Sequence, residues 1–224
     1  MLGFFDDFFT VNNLLVYVSR ILIILFVLPI HEMAHGYAAL KLGDDTAKHQ
    51  GRITLNPIPH LHVVGSLMLL FFGFGFAKPV EVRPERFNRN VNMKTGMAIT
   101  AAAGPVSNII LAFIFLIVNK IIIAFIFPLF PSAILFYFIE IMDLVVYISI
   151  LLAVFNMIPI PPLDGSRIAT LFLPQNVYFN IMKYEQFLMI GLLFLMWRGI
   201  LSGPISFLTK GIYNFLDTIT FFIK

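Results

Sequence analysis

The chain has no cysteine and few charged side chains. Its 224 residues contain no Cys, which excludes disulfide bonds and thiolate metal ligands. Only 12% of the residues are charged, whereas a soluble domain carries about a quarter, and 59% are hydrophobic. The apolar residues form runs of about 15 to 25, which one soluble core of this size cannot bury. The composition therefore excludes a soluble globular protein and predicts a protein embedded in the lipid bilayer.

An excess of charge of one sign is also missing. The formal net charge is only +3, and most of the cations flank apolar segments instead of forming a basic strip with interleaved aromatic residues. This pattern is typical of membrane topology and not of nucleic-acid binding. We therefore expect the bilayer as a partner and no nucleic acid, and no oligomeric state follows from the sequence.

The long apolar segments predict an all-α polytopic membrane protein. We expect a bundle of about five to six transmembrane helices in a single intramembrane domain over residues 1–224. Residues 121–130 either prolong the second span or form an outer hairpin. The predicted spans are residues 14–42, 96–118, 133–158, 187–201 and 205–223.

A shorter apolar stretch, residues 63–76, contains Gly65, Gly73 and Gly75 and is too short for the roughly 20 residues that a span needs. We expect a re-entrant segment that returns to its side of entry, so that the polar loops 41–62 and 78–94 share one face. Residues 50–55 could form a short strand or a β-hairpin at that surface. The shared face carries eight of the 15 cations: Lys41, Lys48, Arg52, Lys78, Arg83, Arg86, Arg89 and Lys94. The positive-inside rule makes it cytoplasmic, in a multi-pass protein of the plasma membrane.

The first predicted span contains His31-Glu32-Met33-Ala34-His35. Two histidines at i and i+4 lie on one helix face, which is the spacing for two ligands of one Zn²⁺. Glu32 is rotated about 100° from His31, so it can take a proton from water without ligating the metal. Ionisable groups at membrane depth are costly, which favours a functional site. The alternative is a polar helix end at the membrane interface.

A catalytic zinc needs a third protein ligand, and without cysteine this must be His, Asp or Glu. Asp164 is favoured because prolines 159, 161 and 162 stop the third span and bring this carboxylate to the depth of His31. The alternative is that Asp164 only caps a helix starting at Gly165.

The remaining titratable groups are expected to lie elsewhere. His49, His60 and His62 fall in the polar loop and are predicted to be exposed. Glu140 and Asp143 are predicted to lie near the opposite membrane face.

Three motifs follow one another within residues 20–170. They are His31 to His35, then Gly104-Pro105-Val106-Ser107-Asn108, then Asn156-Met157-Ile158-Pro159 with Pro162-Leu163-Asp164-Gly165. Together they resemble the site-2 protease family of intramembrane zinc metalloproteases. The stretch Phe-Gly-Phe-Ala-Lys-Pro-Val at residues 74–80 further resembles the compact branch of that family, which lacks PDZ-like and CBS-like domains.

The resemblance implies a zinc-dependent intramembrane endopeptidase of the HExxH type. It implies that His31, His35 and Asp164 bind one zinc ion per chain and that Glu32 is the catalytic residue that activates water. The implied substrate is a peptide bond within or near the transmembrane segment of another membrane protein. The positive-inside rule places this site toward the cytoplasmic side.

Two asparagines, Asn108 and Asn156, lie near the expected depth of the metal. They either bind the substrate backbone or the developing oxyanion, or they make hydrogen bonds between helices.

Two other classes of function use the same residues. A metal transporter would use the two histidines and the aspartate as a metal site, but it needs no general base and would place polar groups along a path across the bilayer. A non-proteolytic protein would only bind other membrane proteins, and the intact set of His31, Glu32, His35 and Asp164 argues against it.

Overall fold

The computed structural model describes residues 11–73, 75–173, 177 and 183–223, and within these residues the fold is entirely helical. The α-helices are α1 (Val11–Leu22), α2 (Leu28–Lys41), α3 (Thr46–His49), α4 (Val63–Phe72), α5 (Met93–Ile121), α6 (Ala133–Asn156), α7 (Asp164–Ala169), α8 (Glu185–Trp197) and α9 (Ser202–Ile219). Two π-helical turns, Ile23–Val27 and Ile122–Ile126, and two short 3₁₀ turns, Ile58–His60 and Pro84–Arg86, complete the described helical structure.

Three of the described helices are long and apolar enough to cross a membrane: Leu14–Lys41, Met93–Ile126 and Ala133–Asn156. They correspond to the first three predicted spans, and the second continues to Ile126 instead of ending at residue 118. Helices α4 and α8 are apolar but shorter, at 10 and 13 residues. The prediction of five to six spans therefore stays a prediction.

The first membrane helix is continuous through α1, the π-helical turn Ile23–Val27 and α2. Pro29 follows directly after the π-helical turn, and its missing N–H removes one hydrogen bond from this continuous helix. Ile23 and Val27, in the π-helical turn, are 0% exposed and pack against Leu69 of α4 and Val145 of α6. This packing fixes the helix upstream of its histidine-containing half.

Helix α5 lies at the centre of the fold and contacts α2, α6, α7 and α9. Its first half carries small buried residues, including Ala98, Ala101 and Gly104, which let neighbouring backbones approach closely. Its second half packs Ala112 and Leu116 against α6 and α9. The small half of α5 is therefore the part that can accept bulky side chains from α2.

After helix α4 the chain turns back and runs alongside this helix. Gly73 ends the helix with a φ of 80°, and Arg20 of α1 donates to the terminal carbonyl of Leu70 at 2.7 Å. The returning backbone passes so close that a Cβ on Gly65 would lie 2.0 Å from the carbonyl oxygen of Phe76. Phe74 lies outside the described residues.

The prediction of a short strand or hairpin at residues 50–55 is wrong, because these residues form a turn and bends and the described chain contains no strand. Gly51 adopts a φ of 66° directly after α3, which turns the chain sharply. The carbonyl of Thr54 then accepts a hydrogen bond from the His60 ring at 3.0 Å. This carbonyl is therefore bonded to a side chain and not to the backbone of a neighbouring strand.

Candidate metal centre

The two histidines of the HExxH sequence lie one turn apart in α2 and face into the protein. His31 is 5% exposed and His35 is 8% exposed. Their rings meet edge to face with centroids 4.7 Å apart, and their Nε2 atoms are 3.1 Å apart. Both Nε2 atoms thus point at one location, as the i, i+4 spacing predicts.

Asp164 reaches the same location from the other side of the fold. The turn after α6 delivers it as the first residue of α7, which packs against α5. Gly165 makes the turn possible, since a Cβ there would lie 2.2 Å from the carbonyl oxygen of Met157. The carboxylate oxygen Oδ2 lies 3.3 Å from His31 Nε2 and 3.4 Å from His35 Nε2.

These three atoms have the spacing that a tetrahedral zinc requires. Ligand atoms bound at 2.0–2.1 Å in a tetrahedron are about 3.3–3.4 Å apart, which matches the observed separations of 3.1, 3.3 and 3.4 Å. Oδ2 of Asp164 is buried and has no hydrogen-bond donor among the described residues. A buried carboxylate oxygen without a donor, facing two imidazole nitrogens, fits a divalent cation.

Helix α5 sets the orientation of His35. The Nδ1 atom of His35 lies 2.8 Å from the carbonyl oxygen of Thr100, which belongs to α5. A carbonyl can only accept, so Nδ1 carries the hydrogen and Nε2 keeps a lone pair for a metal. This backbone contact leaves no signal in the sequence.

Gly104 of α5 provides the space in which the two rings meet. A Cβ at this position would lie 2.4 Å from His35 Nε2 and 2.6 Å from His31 Cε1. The glycine of the second motif is therefore a contact residue of both imidazoles, and not only one of several small residues that bring helices together.

Glu32 lies beside this group. Its side chain is partly buried, and Oε2 accepts a hydrogen bond from the backbone N–H of Val80 at 2.9 Å. No hydrogen bond to Oε1 is found among the described residues. One oxygen of the carboxylate is therefore held while the other is free to act on a proton.

The two asparagines differ in their surroundings. Asn108 is 0% exposed, one turn beyond Gly104 in α5, and neither Oδ1 nor Nδ2 has a hydrogen-bond partner in the described part of the chain. The hydrogen bond between helices that was one of its two predicted roles is thus not seen there. Asn156 is partly buried at the end of α6.

Of the three loop histidines predicted to be exposed, only His49 is exposed. The side chain of His49 is 72% exposed, whereas His62 is partly buried and its Nδ1 accepts from the N–H of Gly65. For His60 the prediction is wrong: it is 1% exposed because the loop folds over it. Burial lowers the pKa of the His60 ring below its usual value, so the neutral form is favoured.

The fold and the site thus define a class: a helical membrane protein with a His–His–Asp group that could hold a metal ion. Residues 122–197 match Peptidase family M50. The chain is 40% identical to a candidate zinc metalloprotease, YwhC of Bacillus subtilis, over 78% of this chain and 77% of YwhC. It is 29% identical to the candidate zinc metalloprotease Rip2 of Mycolicibacterium smegmatis, over 63% of this chain and 52% of Rip2.

A third candidate zinc metalloprotease, from Methanocaldococcus jannaschii, is 32% identical over 62% of each chain. No solved structure matches the chain. The chain belongs to Peptidase family M50, the site-2 protease family, and is a zinc-dependent metalloendopeptidase.

Proposed function

We propose that this protein hydrolyses a peptide bond within or near the transmembrane segment of another membrane protein. The observation that carries the proposal is the group formed by His31, His35 and Asp164. The two histidines, with Glu32 between them in sequence, lie on a helix long and apolar enough to cross a membrane. A site at that depth acts on substrates that are themselves in the bilayer.

In this proposal His31, His35 and Asp164 hold the zinc ion. When bound, zinc supplies Lewis acidity, which lowers the pKa of water and stabilises negative charge on the scissile carbonyl oxygen. Glu32 takes the proton of the attacking water at its free oxygen, Oε1, and passes it to the departing amine nitrogen. The N–H of Val80 holds Oε2 of this carboxylate.

Asn108 and Asn156 are proposed to contact the substrate backbone or the developing oxyanion. The support for Asn108 is its fully buried amide group without a partner in the described chain, one turn from the residue that contacts both imidazoles. An unsatisfied buried amide is costly, which favours a ligand that satisfies it.

A metal transporter is the rival use of the same three ligands. It would need polar groups that continue from the site across the bilayer. Instead, polar groups on α9 bond to neighbouring helices: Lys120 pairs with Asp217 at 2.7 Å, and Tyr213 donates to Asp143 at 2.6 Å. These contacts tie α9 to α5 and α6, and they favour the enzyme.

The proposed activity predicts cleavage of a model transmembrane peptide by the purified protein. In detergent or liposomes we expect two product fragments, no product after chelation, and recovery of cleavage when Zn²⁺ is restored, measured by mass spectrometry. Zinc transport into vesicles without any cleavage would contradict the proposal and favour the transporter.

We also propose that the chain forms one intramembrane domain. In this proposal α4 and the returning residues 75–80, the α4 hairpin, are re-entrant. The site then lies toward the cytoplasmic side of the plasma membrane. The close approach of Phe76 to Gly65, and the hydrogen bond from Lys78 N to His60 O at 2.8 Å, support a return to the side of entry. The cations of the two adjoining loops support the cytoplasmic orientation.

This topology predicts that single cysteines at Lys48 and Arg89, both exposed, react with a membrane-impermeant reagent from the same side. The native chain has no Cys, so the labelling is specific. A cysteine at Phe130, which is 71% exposed beyond the outer end of α5, serves as the control and should react from the other side. Reaction of Lys48 and Arg89 from opposite sides would show that α4 does not return.

A further inference from the structure

Arg52 is a buried cation in the loop that follows α3. It is 4% exposed, and its two terminal guanidinium nitrogens donate to the carbonyl oxygens of Pro59 and Lys78. A buried charge is costly unless it makes hydrogen bonds that a neutral group could not replace. The planar guanidinium group of Arg52 thus bonds to two segments that are separated in the sequence. Arg52 bridges these segments and is not a surface cation.

The segment that Arg52 holds is the part of the chain that returns after α4. Lys78 is fixed at both ends of its backbone, since its N–H donates to His60 O at 2.8 Å and its carbonyl accepts from Arg52. Two residues later, Val80 is 9% exposed and donates its N–H to Glu32 Oε2 at 2.9 Å. The chain of contacts from Arg52 to Glu32 is therefore complete.

The return segment also rests on the helix turn that carries Glu32. A Cβ built on Gly36, one turn after Glu32 in α2, would lie 3.4 Å from Val80 Cγ1. Val80 thus packs against the turn of α2 that carries Glu32, so a displacement of residues 78–80 moves the Val80 N–H relative to the Glu32 carboxylate.

Arg52 does not pair with Glu32 directly, because no ion pair within 4.0 Å joins the two in the described structure. Their charges still interact. Burial lowers the pKa of the Arg52 guanidinium, and the negative charge of Glu32 opposes that shift. The direct mechanical link between the two residues is thus the backbone of Lys78 to Val80.

We infer that Arg52 is a positioning residue for Glu32: its guanidinium fork fixes Lys78, which places the Val80 N–H on Oε2 and leaves Oε1 as the proton-accepting oxygen. The inference rests on the proposed function of Glu32 as general base. Glutamate has three side-chain torsions, so a carboxylate held by one N–H loses alternatives that would take it away from the water or onto the metal.

The test uses zinc-loaded protein and two variants. Arg52→Lys keeps the charge but loses the planar guanidinium group, and Val80→Pro removes the donated N–H together with the valine side chain that packs on α2. Arg83→Lys is the matched control, because this arginine lies on the same segment and its side chain is 46% exposed and bonded to Glu81. The first readout is amide hydrogen exchange at Val80, with the Asn88 amide, which donates to Leu42 O, as the internal reference.

In Arg52→Lys we expect the Val80 amide to exchange at least about tenfold faster while Asn88 and the zinc content are unchanged. We expect kcat to fall by about 10- to 100-fold with KM within a few-fold, since positioning is lost but binding is not. Val80→Pro should lower kcat similarly, and the double variant should lose little more, because both act through one contact. Arg83→Lys should behave as wild type in every measurement.

Unchanged Val80 exchange in Arg52→Lys overturns the inference whatever the activity. So does an unchanged kcat, or additive losses in the double variant. A wild-type protein that holds zinc and cleaves no transmembrane peptide overturns the proposed function instead, and the exchange measurement separates the two failures.

Discussion

Replacing Glu32 by glutamine is expected to lower kcat by about 10²- to 10⁴-fold, the usual cost of losing general-base catalysis, while zinc content and fold stay unchanged. The amide oxygen of glutamine can still accept the Val80 N–H, which donates to Glu32 at 2.9 Å in the wild type, but the side chain cannot take a proton from water. Cleavage of a co-expressed transmembrane substrate should fall below detection, and intact substrate should co-purify.

The matched control for this change is Glu81→Gln. Glu81 is a glutamate on the return segment, accepts from Gln50 and Arg83, and is 46% exposed. It should retain wild-type activity. Cleavage by Glu32→Gln within a few-fold of wild type would show that Glu32 is not the general base, even in a protein that holds zinc.

Replacing Asp164 by alanine is expected to lower zinc affinity by more than about 100-fold, because loss of a ligand exceeds the 10- to 100-fold cost of losing a supporting contact. The two histidines would remain 3.1 Å apart without the carboxylate that lies within 3.4 Å of both. Elemental analysis after identical purification measures the change. Asp45→Ala is the control, since this carboxylate is 47% exposed in an ion pair with Arg86.

Gly104→Ala should also weaken zinc binding although every ligand is kept. The added methyl group would lie 2.4 Å from His35 Nε2, so at least one ring must move from its position. Wild-type zinc binding by Asp164→Ala would show that the third ligand is misassigned. Wild-type zinc binding by Gly104→Ala would show that the ring positions at the site are wrong.

The two histidines and the glutamate were predictable because they lie within one helix. A helix has a fixed period, so the positions of His31, Glu32 and His35 relative to each other follow from their spacing alone. Asp164 was harder. Its depth could be argued from the prolines before it, but its contact with both histidines depends on how α7 packs on α5.

The contacts that orient the site could not be predicted from the sequence. The Thr100 carbonyl and the Val80 N–H are backbone groups that every residue type has, so no residue pattern marks them. His60 was predicted to be exposed because its neighbours are polar, but the loop covers it and Thr54 O accepts from its ring.

The sequence by itself determined that the chain is a helical membrane protein, where its first three spans lie, and which face of the first span carries the two histidines. These properties depend on hydrophobicity and helical period, which act over neighbouring residues. Only the tertiary structure decided that Asp164 meets His31 and His35, that Gly104 makes room for them, and that Val80 holds Glu32. Such contacts join segments distant in the chain, and they form only when the helices and the returning loop pack together.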